Sequence, residues 1–295
     1  MNVSTYKVKK GQKDKGLEKQ NKDDEFTYLK SLIDYNEKYN SRLLPDDDLC
    51  RYKNIRCYKD NCVEISSPHK IINASWIHMP FERSFISAQA PLKNTIDDFW
   101  TMCFDYNVNT VIMLCKLEEN GKEKCVEYWE PEKKDILESV NDYIESKFKI
   151  DYKTEEINED IIIRTCNVLN KETNEKRVIQ QIHYGGWPDH EIPKDIQTVY
   201  GNILFMFNIV DKLIGRSPIC VHCSAGVGRT GTFIALYNLY KDILMQISDK
   251  KSKNITFCLM NLVRKLKEMR LHLVENFKQY ELIYEFIGKL LKDRN

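Results

Sequence analysis

The stretch Cys220-Val-His-Cys-Ser-Ala-Gly-Val-Gly-Arg-Thr-Gly231 sets one cysteine, Cys223, six residues before one arginine, Arg229, with small residues between them. The apolar run before it, Ile219 to Val221, reads as a short buried strand. The run after it, Thr230 to Ile247, reads as a buried helix. Cys223 therefore falls at a strand end, in a loop that feeds a helix N-terminus. Backbone N–H groups there lack intrahelical partners and the helix dipole is positive, so the loop suits a dianion.

A free thiol is mostly protonated at neutral pH, but inward N–H groups, a helix N-terminus and a nearby guanidinium all favour the thiolate. The same groups would grip phosphoryl oxygens, with Arg229 binding two of them in a fork. Ser224, Ala225, Gly226, Val227 and Gly228 would supply the N–H groups, and the two glycines let the loop curl. The Thr230 hydroxyl can hydrogen-bond the sulfur and help it leave. Gly226-x-Gly228-x-x-Gly231 also matches a dinucleotide fingerprint. Too little chain follows it to complete such a fold, and no Gly-x-x-x-x-Gly-Lys-Ser/Thr run exists.

His222-Cys223-(five residues)-Arg229-Thr230 resembles the signature loop of the cysteine-dependent tyrosine phosphatases. Other segments follow in that family's order: Asn73-Ala-Ser-Trp-Ile77, Gln89-Ala-Pro-Leu92, Asp98-Phe-Trp-Thr-Met102, Val111-Ile-Met-Leu114, Lys124-Cys-Val-Glu-Tyr-Trp129, Trp187-Pro188-Asp189 and Gln279-Tyr280. The resemblance runs from about residue 26 to 292. It implies the tyrosine-specific, single-domain branch and an α/β (α+β) fold, a twisted mixed β-sheet flanked by helices. It also implies a cysteinyl-phosphate on Cys223, with neither metal nor cofactor. Asp189 would be the general acid and then the base for water. Tyr52 would wall a slot too deep for phosphoserine, and Asn54 would contact the substrate backbone. His190, in place of an aromatic residue, would stack on the substrate ring. Lys124 would reach the acid loop and Glu119 would brace Arg229. Trp187 and Pro188 would support the acid loop, and a buried His222 would act through the thiolate's electrostatics.

Three departures stand out. Glu275 lies where the family has a glutamine that orients the hydrolytic water, so slower breakdown of the phosphoenzyme is expected, with Gln279 compensating. His272 replaces a small residue near the slot entrance. Gly185-Gly186 replaces the threonines or serines often found before the acid loop, and the expectation is a loop that opens freely.

Lys+Arg total 45 against Asp+Glu 44, for a net charge of +1, so no global field points to nucleic acid. Residues 1–25 are lysine-rich with little apolar content and read as a disordered basic arm, serving solubility or weak attraction to acidic lipid or RNA. Residues 26–295 read as the catalytic domain, opening with a helix from Phe26 to about Tyr39. Met1-Asn2 lacks the glycine needed for myristoylation, and the Lys292-Asp-Arg-Asn295 end lacks a prenylation cysteine. No apolar run reaches membrane-spanning length and no signal peptide is evident, so a cytoplasmic monomer is expected. Ten cysteines then imply free thiols in a reducing compartment. Cys220-x-x-Cys223 is either a redox pair or, with Cys220, a buried small hydrophobe. Expected partners are phosphotyrosine proteins. The rival readings are a phosphotyrosine-binding module that turns over poorly, and a lipid or RNA phosphatase. The loop's lack of a lysine argues against the latter. The lysine- and asparagine-rich composition and Trp187-Pro-Asp-His190 also resemble the tyrosine phosphatases of bracoviruses. That resemblance implies a viral effector in host-cell cytoplasm that disrupts host signalling.

Overall fold

A computed structural model of the chain describes residues 5–9, 22–34, 41–45, 48–80, 84–130, 146–187, 195–213, 216–249 and 253–293. Its centre is a mixed eight-stranded sheet. The strands are β2 (Cys62–Glu64), β3 (Ile71–Ile77), β4 (Phe85–Ala88), β5 (Thr110–Met113), β8 (Phe148–Glu156), β9 (Ile161–Asn170), β10 (Lys176–Tyr184) and β11 (Ile219–His222), while β6 (Glu118–Glu119) and β7 (Lys122–Glu123) form a separate antiparallel pair. Their spatial order is β2-β3-β4-β11-β5-β10-β9-β8. The middle four, β4, β11, β5 and β10, run parallel, and antiparallel strands extend both sides. β4, β5 and β11 are buried throughout, which is why they read as unbroken apolar runs rather than alternating ones. The edge strand β8 alternates over its first half and is exposed beyond it.

β11 ends at His222, so Cys223 lies at the carboxyl end of a central parallel strand, where open α/β sheets place their ligands. The helix that follows spans Gly228–Ser248 and is buried from Gly228 through Tyr240, as an apolar-all-round sequence requires. The other helices are Lys22–Asp34, Ile96–Asp105, Ile196–Lys212, Leu259–Met269 and Phe277–Asp293. Among the described residues no helix is long and apolar enough to cross a membrane.

The N-terminal reading needs correction. Tyr6–Lys9 forms β1, paired antiparallel with β12 (Asn254–Phe257). The Tyr6 ring stacks on Phe257 with centroids 4.8 Å apart, and its hydroxyl donates to the Tyr284 hydroxyl at 2.9 Å. The first helix starts at Lys22, before Phe26. Its buried Glu25 accepts through Oε2 from the hydroxyls of Tyr280 (2.8 Å) and Tyr284 (2.7 Å). Parts of the 1–25 segment are thus ordered. A four-residue strand is too short for a periodic signal, and Glu25 reads locally as one more surface charge. The expected helix is described only to Asp34, and residues 35–40 lie outside the described residues.

Candidate active site

The loop from Cys223 to Val227 is caged carbonyl by carbonyl. Cys223 O bonds to His222 Nδ1 at 3.0 Å. Ser224 O accepts from Ala90 N at 2.9 Å. Ala225 O accepts from Arg270 Nη2 at 3.1 Å. Gly226 O accepts from Ser87 Oγ at 2.9 Å and Arg270 Nε at 3.0 Å. Val227 O accepts from Gly231 N at 3.0 Å and Val274 N at 3.2 Å. In a trans peptide the C=O and the next N–H point opposite ways. With the carbonyls of 223–227 tied outward, the N–H groups of 224–228 face the loop's interior. They merge there with the unsatisfied amides of the helix that begins at Gly228. The curl needs glycine at 226, which has φ +70°, and a Cβ there would lie 2.1 Å from Ala88 O.

Cys223 is a free thiol, 4% exposed. Arg229, 2% exposed, donates from Nη1 to Glu119 Oε1 (2.7 Å) and from Nη2 to Glu119 Oε2 (3.1 Å). Nη1 also donates to Trp187 O at 2.9 Å. Burial disfavours the charged guanidinium, but the facing Cys223 and Glu119 outweigh it and raise its pKa. Thr230 Oγ1 is buried without a hydrogen-bond partner among the described residues. His222 is fully buried, and burial lowers its pKa to about 4, so the ring is neutral.

The rim is built from four directions. Arg51 donates to Ala90 O (3.2 Å), to Pro91 O (2.5 Å) and, by Nη1, to Glu123 (3.0 Å), fixing the turn that presents Tyr52. The Tyr52 hydroxyl lies 2.9 Å from Ser224 Oγ, so Tyr52 stands at the mouth of the loop, while Asn54 is exposed beside it. Lys124 contributes its carbonyl, which accepts from Ser224 Oγ at 3.0 Å. From the C-terminal side, His272 (φ 67°) and Val274 (φ 57°) adopt left-handed backbone, rare for a β-branched residue. This turn brings Glu275 and the buried Gln279 over the loop. A Cβ on Gly228 would lie 2.6 Å from Gln279 Nε2 and 3.0 Å from Glu275 Oε2. Gln279 Oε1 is held by the backbone N–H of Glu275 at 2.9 Å, which leaves Nε2 toward the site. Pro188, Asp189 and His190 lie outside the described residues.

At Gly186 a Cβ would lie 2.3 Å from Asp160 Oδ1, the movable end of a half-buried side chain, and Gly185 N donates to Asp160 O at 2.8 Å. Cys220 is fully buried in its strand and burial pushes its thiol far up, as the small-hydrophobe reading holds. Sequence reasoning missed the work of Arg270 and Ser87. A lone arginine after a helix carries no local sign that it will reach loop carbonyls some forty-five residues away.

A buried thiol in a loop whose carbonyls are tied back by hydrogen bonds, near a braced guanidinium, makes a site suited to a phosphoryl dianion. The chain belongs to the protein-tyrosine phosphatase family, whose sequence profile matches residues 46–289. It is 33% identical over 288 residues to receptor-type tyrosine-protein phosphatase alpha of Mus musculus, covering 95% of this chain and 32% of that protein. It is 33% identical over 253 residues to tyrosine-protein phosphatase non-receptor type 12 of Homo sapiens, covering 82% and 30%. The chain thus spans about a third of the length of these curated relatives. Its fold is similar to the catalytic domain of human protein tyrosine phosphatase non-receptor type 18. The TM-score is 0.72 at 25% identity, covering 92% of this chain and 96% of that one. A second structure, addressing PTPN18 and distinct HER2 tyrosine phosphorylation sites, gives a TM-score of 0.76 at 26% identity, covering 92% and 95%.

Proposed function

We propose that the chain hydrolyses phosphotyrosine in proteins through a cysteinyl-phosphate on Cys223. The observation that carries this is the complete outward tethering of the loop carbonyls from Cys223 to Val227. It leaves a nest of N–H donors suited to phosphoryl oxygens. The Cys223 thiolate attacks phosphorus, the P–O(phenol) bond breaks, and Asp189 gives its proton to the leaving phenolate. Water then attacks phosphorus, the S–P bond breaks, and Asp189 recovers a proton from the water. Phosphate leaves and the thiolate returns, with the otherwise unpartnered Thr230 hydroxyl turning to donate to it. Arg229 stabilises the charge that spreads over the equatorial oxygens, and Glu119 holds it in place. Tyr52 sets the depth that selects tyrosine, and Asn54, Lys124 and His190 complete the substrate surface. A phosphotyrosine peptide incubated with the chain should release phosphate, and acid quenching should trap phosphate on the protein. Turnover by Cys223→Ser at the parent's rate would sink the reading. A host-directed role, as the bracovirus resemblance implies, and a cytoplasmic location rest on the sequence alone.

One observation favours a second reading, in which the protein captures phosphotyrosine and releases product slowly. Glu275 Oε2 sits beside the first residue of the helix that faces the phosphate. A carboxylate there opposes a bound dianion and water attack on it. A pre-steady-state burst followed by slow turnover, relieved in Glu275→Gln, is the expected signature. Linear release with no gain in the variant would exclude it.

A further inference from the structure

A second network reaches the nucleophile from behind the sheet. Arg164 on β9 donates from Nη1 to Gln181 Oε1 at 2.7 Å. Gln181, on β10 and 1% exposed, donates from Nε2 to the Tyr128 hydroxyl at 2.6 Å. That hydroxyl lies 2.9 Å from His222 Nε2, and His222 Nδ1 lies 3.0 Å from Cys223 O. The two ends leave one direction for every proton. A guanidinium only donates and a carbonyl only accepts. At the carbonyl end, His222 must therefore carry its proton on Nδ1. The ring is neutral, with burial first and Arg51, Arg229 and His183 also opposing a second proton, so Nε2 accepts from Tyr128. At the arginine end, Gln181 must present its oxygen to Arg164 and its amide protons to Tyr128. Four hydrogen bonds thus point the same way and end on the backbone of Cys223.

The same guanidinium has a second branch. Its Nη1 lies 3.3 Å from His183 Nδ1, and His183 Nε2 lies 2.8 Å from Cys115 O. As Arg164 can only donate, His183 must be protonated on Nε2, the opposite tautomer to His222. Burial holds His183 neutral as well. The Arg164 plane is fixed by Trp129, whose ring centroid is 4.1 Å away.

We propose that Arg164 and Gln181 are remote positioning residues, which set the proton placement on His222 and His183 and thereby hold the Cys223 and Cys115 backbones in register for the reaction. They touch neither substrate nor the Cys223 sulfur and act through the chain of donors; the other Gln181 amide proton points to Met113 Sδ at 3.8 Å. Aligned hydrogen bonds polarise one another in a buried setting, so the orientation at one end is felt at the other. The inference rests on Cys223 being the nucleophile, yet its central claim concerns proton positions and is measurable without turnover.

The test is 15N histidine NMR of the full chain, paired with the pH profile of Cys223 alkylation by iodoacetate. In the parent chain, His222 should show Nδ1 protonated and Nε2 bare, and His183 the reverse. Gln181→Glu keeps the shape but replaces a donor with an acceptor that Arg164 keeps ionised. Tyr128 should then donate to the introduced carboxylate, His222 should gain a proton on Nε2, and the alkylation midpoint should move by about one pH unit. Arg164→Met should alter the His222 and His183 signals together. A merely structural role would lower thermal stability but leave the histidine signals and the alkylation profile unmoved, and that result overturns the proposal. So does a parent chain with His222 protonated on Nε2. The expected tautomers in a chain that does not turn over phosphotyrosine would instead refute the phosphatase reading and leave the relay standing.

Discussion

Replacing Arg270 by methionine removes the guanidinium that holds two loop carbonyls outward. The side chain is fully buried and donates to Ala225 O (3.1 Å), Gly226 O (3.0 Å), Asn73 Oδ1 (2.8 Å), Ser75 Oγ (3.3 Å) and Cys57 Sγ (3.0 Å). Without it, Gly226 O keeps Ser87, while Ala225 O and Asn73 Oδ1 lose their strong donor. Two buried acceptors left short at about 1–3 kcal/mol each give a destabilisation of about 2–6 kcal/mol. That is a large share of the ~5–15 kcal/mol a domain commands, so the variant should fold with a clearly lower urea midpoint. The functional loss is a separate quantity. If the carbonyl of Ala225, left without its donor, turns inward, one N–H donor to the dianion becomes an acceptor. One charge-assisted hydrogen bond at about 1.5–3 kcal/mol corresponds to a ~10–10²-fold weaker grip on phosphate. Competitive inhibition by inorganic phosphate or vanadate at a temperature where the variant is folded reads this directly. Phosphate affinity within about threefold of the parent, alongside the expected drop in urea midpoint, would refute the idea that Arg270 orients the loop.

Gly186→Ala should destabilise by about 0.5–1.5 kcal/mol, because its methyl pushes the end of the Asp160 side chain off Asn202 Nδ2, and in an Asp160→Ala chain the same substitution should cost little in urea unfolding. A single variant as stable as the parent would show that the carboxyl swings aside without loss. Glu119→Gln keeps the shape of the brace but removes the anion from buried Arg229. A fall in kcat/KM of about 10–100-fold toward a phosphotyrosine peptide is expected, and an unchanged value would show that Trp187 O suffices. His222 binds no proton when folded until the pH nears 4, whereas the unfolded chain binds one near 6.5. Its folded pKa lies below the unfolded one, and for a base this makes stability full above about pH 6.5 and falling toward pH 4. The loss is about 3 kcal/mol from this residue. Urea midpoints across that window should decline with acid and flatten in part in a His222→Gln chain, and an identical slope in the two chains contradicts the assignment.

The strand–loop–helix unit around Cys223 is legible because it is local. Ile219–Val221 and the Thr230–Ile247 run are apolar enough to demand burial, and small residues between them can only form a tight loop. What is not legible is how the loop is held. Its carbonyl partners, Ala90, Ser87, Arg270 and Val274, meet it only after β4 pairs with β11 and the C-terminal turn folds over. The neighbour of Gly186 is hidden for a related reason. A glycine pair reads as freedom in one dimension, yet the Asp160 carboxyl that fills its missing side chain arrives from another hairpin. Glu275 and Gln279 read correctly as neighbours of the loop, but the left-handed turn at His272 and Val274 that delivers them has no signature in those residue types.

The knot of hydroxyls linking Tyr6 and Glu25 to Tyr280 and Tyr284 also orders events in time. A ribosome makes Glu25 some 255 residues before Tyr280 and 259 before Tyr284, and through that interval the carboxylate waits without them. Arg270 emerges after Cys223, so a nascent chain halted between them carries the whole nucleophile motif with an uncorrected loop. The nucleophile is therefore made before the residues that shape its loop, and the phosphate cradle closes only when the later segment folds back onto it.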